Sequence, residues 1–164
     1  LHFGSSDQHS PPLLKQFNNY LGILFVFLLP TSSLLAQATF NLTGKSLSIS
    51  NGQSVTSVND NTQFSNLAVC NGSIGHLFTI SNTGTSPLII SSISSSLTAF
   101  SLGNIPSSIN PGQNADFSLY FDPATIDTFR STITIINNDL SQDPFSFEVE
   151  GLGIGPQTDI VRGN

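Results

Sequence analysis

The sequence predicts an all-β domain of short antiparallel strands packed as two sheets, and three observations carry that expectation. Between residues 75 and 153, apolar side chains alternate with Ser and Thr in runs too short for helices, as in GHLFTISN and DFSLYF. Each run stops at a cluster of Asn, Gly, Pro or Asp, the residues that turns require. Finally, 13 Phe with many Ile and Leu can fill a core in a chain of 164 residues. There is no Trp and a single Cys, Cys70. No intramolecular disulfide is available, so the core itself must hold the fold.

Ten acidic residues stand against four basic ones. Without a basic patch to meet phosphates, nucleic-acid binding is disfavoured. So sparse a charge suits a surface presented outside the cell or covered by neighbouring modules.

Residues 1–38 read as upstream residues followed by a secretory signal peptide. Lys15 precedes LGILFVFLLP at 21–30, and Ala36-Gln37-Ala38 follows. About nine apolar residues are too few to cross a bilayer core, for which a helix needs roughly 20. A basic residue, a short apolar run and an A-x-A pattern are instead the parts of a cleavable export signal. Ala36 and Ala38 are then the small residues at the third and first positions before the cut, and the mature chain begins at Thr39. Pro30 and the Ser/Thr-rich stretch behind it argue against a buried helix. Residues 1–14, with two His and Pro11-Pro12, do not look like the start of a signal. With Leu at position 1 and no Met, the sequence reads as a fragment.

Residues 39–62 are expected to form a leading strand near 40–42, a short piece at 47–49 and a polar loop, NGQSVTSVNDN. The main module, 63–153, divides into seven strands near 63–69, 76–81, 88–94, 99–102, 115–121, 129–136 and 145–150. Side chains alternate across a strand. Parity therefore places Phe78 with Ile80 on one inward face, and Phe117 with Leu119 and Phe121 on another. Phe129, Ile133 and Ile135 share a third, and Phe145, Phe147 and Val149 a fourth. Ser146, Glu148 and Glu150 then face solvent. Asn82-Thr83-Gly84 supplies a turn residue tolerant of positive φ. Pro111 presets φ ahead of Gly112, where φ must be free. Pro123, after Asp122, ends a strand because it has no N–H for the ladder. Residues 151–156 read as a short linker, and 154–164 as a linker and the start of a possible next repeat. The stretch 158–164 aligns without gaps on 39–45, with Thr158 on Thr39 and Gly163 on Gly44. Seven strands at this spacing imply a seven-stranded immunoglobulin-like β-sandwich. The Cys…Trp…Cys pattern of antibody domains is absent.

Three segments carry a resemblance: FTISNTGTSPLIISSI at 78–93, INPGQNADFSLYFDP at 109–123, and the closing STITIINNDLSQDPFSFEVEGLG. The N-T-G turn, the P-G turn, F-D-P at 121–123 and N-N-D…P-F at 137–145 resemble the bacterial "choice-of-anchor D" repeats. Those are similar to the abnormal-spindle/Hydin-type immunoglobulin-like domains, relatives of the major sperm protein fold. The likeness covers about residues 64–153. It implies exported, multi-repeat surface or envelope proteins in bacteria, and ciliary or centrosomal scaffolds in eukaryotes. It implies no catalytic residues.

Candidate chemistry is sparse. With the signal removed, His76 is the only histidine, and no G-x-S-x-G elbow accompanies it. Cys70 lies six residues before His76 in the sequence, which admits a Cys-His dyad. A loop cysteine and a strand-end histidine that never meet is the reading the sequence favours. The two together cannot build a structural zinc site, which needs four ligands. Asn138, Asp139 and Asp143 share one loop, and Asn59, Asp60 and Asn61 another. Clustered oxygens can hold calcium, but turn-forming Asn and Asp explain both loops without a metal. Asn41-Leu42-Thr43 and Asn71-Gly72-Ser73 fit a glycosylation sequon, which would be silent in a bacterium.

The expectation is therefore a non-catalytic structural or interaction module, a repeat unit of an exported, bacterial cell-surface or envelope protein. No catalytic residue and no cofactor is expected. Its partners would be neighbouring repeats of the same polypeptide, then surface proteins or glycans, with the membrane met only during export. Rival readings are a ligand-binding module or an accessory domain of a larger secreted enzyme. A ciliary or cytoplasmic place follows if the chain is eukaryotic and the signal reading fails.

Overall fold

The computed structural model describes residues 35–156, and among them every regular element is a strand. In chain order these are β1 (Phe40–Gly44), β2 (Leu47–Ile49), β3 (Leu67–Ala68), β4 (Ile74–Asn82), β5 (Leu88–Ser95), β6 (Phe100–Gly103), β7 (Ser108–Ile109), β8 (Asn114–Phe121), β9 (Thr128–Asn137) and β10 (Phe145–Ile154). Two five-stranded sheets result, ordered β2-β1-β4-β8-β6 and β3-β10-β9-β5-β7. This is the all-β sandwich read from the alternation. Lys15, the apolar run at 21–30 and the repeat alignment at 158–164 lie outside the described residues.

Parity selects the core as expected. Phe78, Ile80, Phe117, Leu119, Phe121, Ile133, Ile135 and Val149 are fully buried, and Phe145 and Phe147 nearly so. Phe129 is only partly buried and packs on the cluster's margin. Phe78 joins the sheets: its ring centroid lies 5.4 Å from Phe117 on the neighbouring strand and 5.4 Å from Phe147 in the opposite sheet. Such ring pairs contribute about 0.5–1.5 kcal/mol beyond the area they bury. On the outer face Glu148 and Glu150 are not simply solvated. Arg130, opposite Glu150 on β9, donates through Nη1 to Glu148 at 2.8 Å and through Nη2 to Glu150.

The strand list differs from the sevenfold reading in three places. The strand expected at 63–69 shrinks to Leu67–Ala68. The chain from Gly52 to Val69 instead follows the free edge of β10 in a broken parallel run. Gly52 N–H donates to Ser146 C=O (2.7 Å), Glu148 N–H to Gln53 C=O (2.8 Å), and Phe64 N–H to Glu150 C=O (2.7 Å). Between these anchors the chain loops out, so no ladder builds. β7 is an addition, two residues long and without visible alternation. The two pieces expected near 40–42 and at 47–49 do form, and they pair as a hairpin whose two-residue turn has positive φ at Lys45 (47°) and Ser46 (65°). That is the geometry a tight hairpin prefers, without the usual Asn-Gly signal. Lastly, 151–154 is strand rather than linker: Gly151 pairs with Phe129, Leu152 with Thr128, and Gly153 with Leu67.

The glycine turns divide by cause. Gly112 has φ of 73°, as the Pro-Gly pair requires. Gly84 does not have positive φ; it is glycine because a Cβ there would meet the Gln37 carbonyl and lie 2.6 Å from Thr39 N. Space, not conformation, decides that position.

Candidate functional site

The polar residues with chemical potential fall into two clusters, each around a buried carboxylate. The first is the β9–β10 loop. Asp139 is 1% exposed, and both its oxygens are engaged. Oδ2 accepts from Phe40 N–H at 2.8 Å, and Oδ1 from Ser141 N–H at 3.0 Å and Ser141 Oγ at 2.7 Å. Burial by itself would raise the Asp139 pKa. The bonds from Phe40 and Ser141 outweigh it and hold the carboxyl below its ordinary value. Asn138 Oδ1 accepts from Ile89 N–H at 2.9 Å, and its amide donates to Pro87 C=O at 3.1 Å. Asp143 Oδ1 accepts from Asn137 N–H at 3.0 Å. The three oxygen donors weighed for calcium therefore each hold a piece of backbone. Asp139 in particular bridges to β1 in the other sheet, a tie between residues far apart in sequence.

The second cluster lies where residues 53–62 cross the β1–β4 edge. Asp60 Oδ1 accepts from Thr62 N–H (3.1 Å) and Thr62 Oγ1 (2.6 Å), and Oδ2 from Gln53 Nε2 (2.9 Å). Asn61, with φ of 67°, donates its amide to Leu77 C=O at 3.0 Å and leaves Oδ1 buried without a partner. Gly44 lets Asp60 approach, since a Cβ there would collide with the Asp60 carbonyl. His76 closes the cluster. Its ring stacks on Phe64 with centroids 4.0 Å apart, and Nδ1 lies 2.8 Å from Asn61 C=O. Desolvation lowers its pKa most, with the Lys45 charge acting in the same direction and the Asn61 bond opposing. Neutral imidazole with the proton on Nδ1 fits this geometry.

Cys70 is exposed, in the turn after β3, with φ of 63°. The partners of His76 are Asn61 and Phe64, not Cys70, so the structure does not assemble the dyad. Among the described residues no three His, Cys, Asp or Glu side chains come together as a metal site. Two concavities lined by described residues are open depressions: about 210 Å³ between β1, β2 and Phe145, and about 130 Å³ beside His76 and Tyr120. Both fall below the roughly 300–1,000 Å³ of small-molecule pockets. A third, about 360 Å³, is an open hollow beside Cys70 and Pro156 with no converging charged groups.

Among the exposed apolar side chains, Tyr120 and Leu77 lie on adjacent strands of one sheet. Tyr120 is 37% and Leu77 56% exposed. Tyr120 leans over Gly75, where a Cβ would sit 2.8 Å from its Cε1, and over Gly103, where the gap to Cε2 would be 3.2 Å. The glycines on both neighbouring strands make room for the ring. Their cross-strand registry could not be seen before the pairing was known.

The family model described as "Protein of unknown function (DUF1573)" matches residues 55–152, more than half of the sequence. The chain belongs to this family. The matched DUF1573 stretch runs from the polar loop through most of β10, so both buried clusters fall within or against it. Among solved structures, a Porphyromonas gingivalis W83 protein of unknown function is 18% identical over 71% of this chain, with a TM-score of 0.55. That likeness supports the fold alone. The match takes in 48% of that protein, so this chain spans about half its length. The ASH/PapD-like domain 7 of human CEP192 is 13% identical, over 59% of this chain and 84% of its own, with a TM-score of 0.49. No curated protein sequence matches this DUF1573 chain.

Proposed function

We propose that this DUF1573 chain is a non-catalytic structural and interaction module, one repeat unit of an exported envelope or cell-surface protein. One observation carries the reading. The groups best placed for chemistry, Asp60, His76, Asp139 and Asp143, are committed to holding loop backbone, and the one of them that lines a described depression, His76, reaches only an open hollow of about 130 Å³ beside Tyr120. Export rests on Lys15, the apolar run at 21–30 and Ala36-Gln37-Ala38. Membership in a repeat array rests on the resemblance of 78–93, 109–123 and 131–153 to choice-of-anchor D repeats, and on the alignment of 158–164 with 39–45. In such an array each sandwich would contact its neighbours, and stability would add link by link.

The test joins the whole chain to a reporter enzyme that works only after export. Reporter activity that disappears when residues 21–29 are deleted is the expected result. Activity confined to the cytoplasm in the intact fusion removes the export half of the reading. The non-catalytic half fails if the purified chain hydrolyses ester, peptide or glycoside probes and loses that activity in Cys70→Ala or His76→Ala.

A further inference from the structure

The signal pattern places the maturation cut after Ala38, yet the sandwich makes use of the two residues that such a cut would discard. Gln37 C=O accepts from Thr85 N–H at 2.8 Å and from Ser86 N–H at 3.3 Å, while Gln37 N–H donates to Thr85 Oγ1 at 3.3 Å. Ala38 is 3% exposed and belongs to the core cluster. Thr39 continues the seam: its N–H donates to Asn82 Oδ1 at 3.3 Å, and its carbonyl accepts from Thr83 N–H at 3.0 Å.

The receiving side is shaped for them. Asn82 is 1% exposed and directs its amide to Ser86 C=O (2.8 Å) and Ile109 C=O (2.9 Å), with Oδ1 left for Thr39 and Gly84. Gly84 lacks a Cβ just where the Gln37 carbonyl and Thr39 N pass. The N-T-G turn is thus a cradle for residues 37–39. Leu35 and Ala36 stand outside it, both exposed.

A cut after Ala38 would take from the domain two residues that its fold uses, the hydrogen-bonded Gln37 and the buried Ala38. In the folded sandwich the Ala38–Thr39 bond is bound into the cradle, while Ala36–Gln37 is the first bond at its mouth, with the small Ala36 at the first position before it and Leu34 in place of a small residue at the third. We propose that the export cut falls on the amino side of Gln37, at the Ala36–Gln37 bond or just upstream, and that Gln37-Ala38 remains as the locking segment of the mature domain. The step is hydrolysis: water adds across one peptide bond, giving a carboxylate on the released signal and an amine on the mature chain. This proposal rests on the export reading above and replaces Thr39 as its product's first residue.

Intact-mass measurement and amino-terminal sequencing of the product exported by a bacterial host decide it. A first residue of Gln37, or one between Pro30 and Gln37, supports the proposal. A product beginning at Thr39 overturns it and leaves export standing. A chain found uncut overturns both. A second measurement isolates the physical reason. Chains made without a signal and starting at Gln37 or at Thr39 are melted side by side. The shorter should melt lower by roughly 5 °C or more. Equal melting temperatures would show that the cradle does not need its occupant, and the proposal would fall.

Discussion

At the residue scale, the strongest statements concern side chains whose surroundings leave no alternative. Phe147 is 1% exposed and touches Phe78 across the sheets. Phe147→Ala should destabilise by roughly 3–5 kcal/mol, since the cavity cannot close between two sheets. Glu148→Ala, one position along, loses an exposed ion pair and should shift the denaturant midpoint far less. A titration that reversed this order would mean the register of β10 is misread. Asp139 and His76 each add a pH-dependent contribution to stability, with a common sign. Both have folded pKa values below their unfolded ones. The His76 contribution is present above its unfolded pKa near 6.5 and is lost as pH falls through the lower folded value. The Asp139 contribution is present above its unfolded value near 3.9 and is lost at still lower pH. Chemical denaturation between pH 8 and pH 3 should show two successive losses, and His76→Gln should remove the first. Asp139→Asn turns a donor toward Phe40 or Ser141 in place of an acceptor. It should cost about 1–3 kcal/mol at pH 7 and abolish the second loss.

At the scale of the element, two substitutions of glycine test opposite causes. Ser46 sits at φ of 65° in the β1–β2 turn. Ser46→Gly should stabilise by about half a kcal/mol, because relief of left-handed strain exceeds the freedom gained by the unfolded chain. Gly151 lies inside β10, where replacement by Ala would ordinarily help a strand. Here a Cβ would stand 2.6 Å from Cε1 of the fully buried Phe121. Gly151→Ala should therefore cost about 1–3 kcal/mol by overpacking. If thermal melts place both variants above the parent, the strand at 151–154 is not seated as described. The same pair explains a misreading. Glycines at 151, 153 and 155 look like a flexible linker, since sequence does not say whether a missing Cβ serves freedom or contact.

At the scale of the whole described domain, each sheet edge is short or covered. The run 52–69 lies along β10, and β7 covers the start of β5, which limits the unpaired edge that invites aggregation. Asp139 ties the β9–β10 loop to β1 in the other sheet, and Asn82 ties the N-T-G turn to β7 and Thr39. Tyr120 is the only tyrosine among residues 35–156. Its fluorescence should change in the same transition as far-ultraviolet circular dichroism, with non-local pairing setting a folding time of milliseconds to seconds. Separate transitions for the two probes would divide the sandwich into independent parts.

Alternation and turn residues by themselves determined the all-β class, the inward face of β4, β8, β9 and β10, and where β4 and β8 stop, but not the far end of β10, which runs on to Ile154. These are local properties: period two fixes which side chains share a face, and Pro or Gly fixes where a ladder stops. One Cys in the whole sequence and one His among residues 35–156 restrict the chemistry of this part wherever they lie. Only tertiary structure decided what the polar loops do. Asp139 meeting Phe40, Asn61 meeting His76, Gly75 and Gly103 flanking Tyr120, and Gln37 filling the Asn82–Ser86 turn are contacts between residues that no period links. Turn composition predicts that Asn and Asp will accept hydrogen bonds, but the choice of donor follows from how the two sheets are stacked.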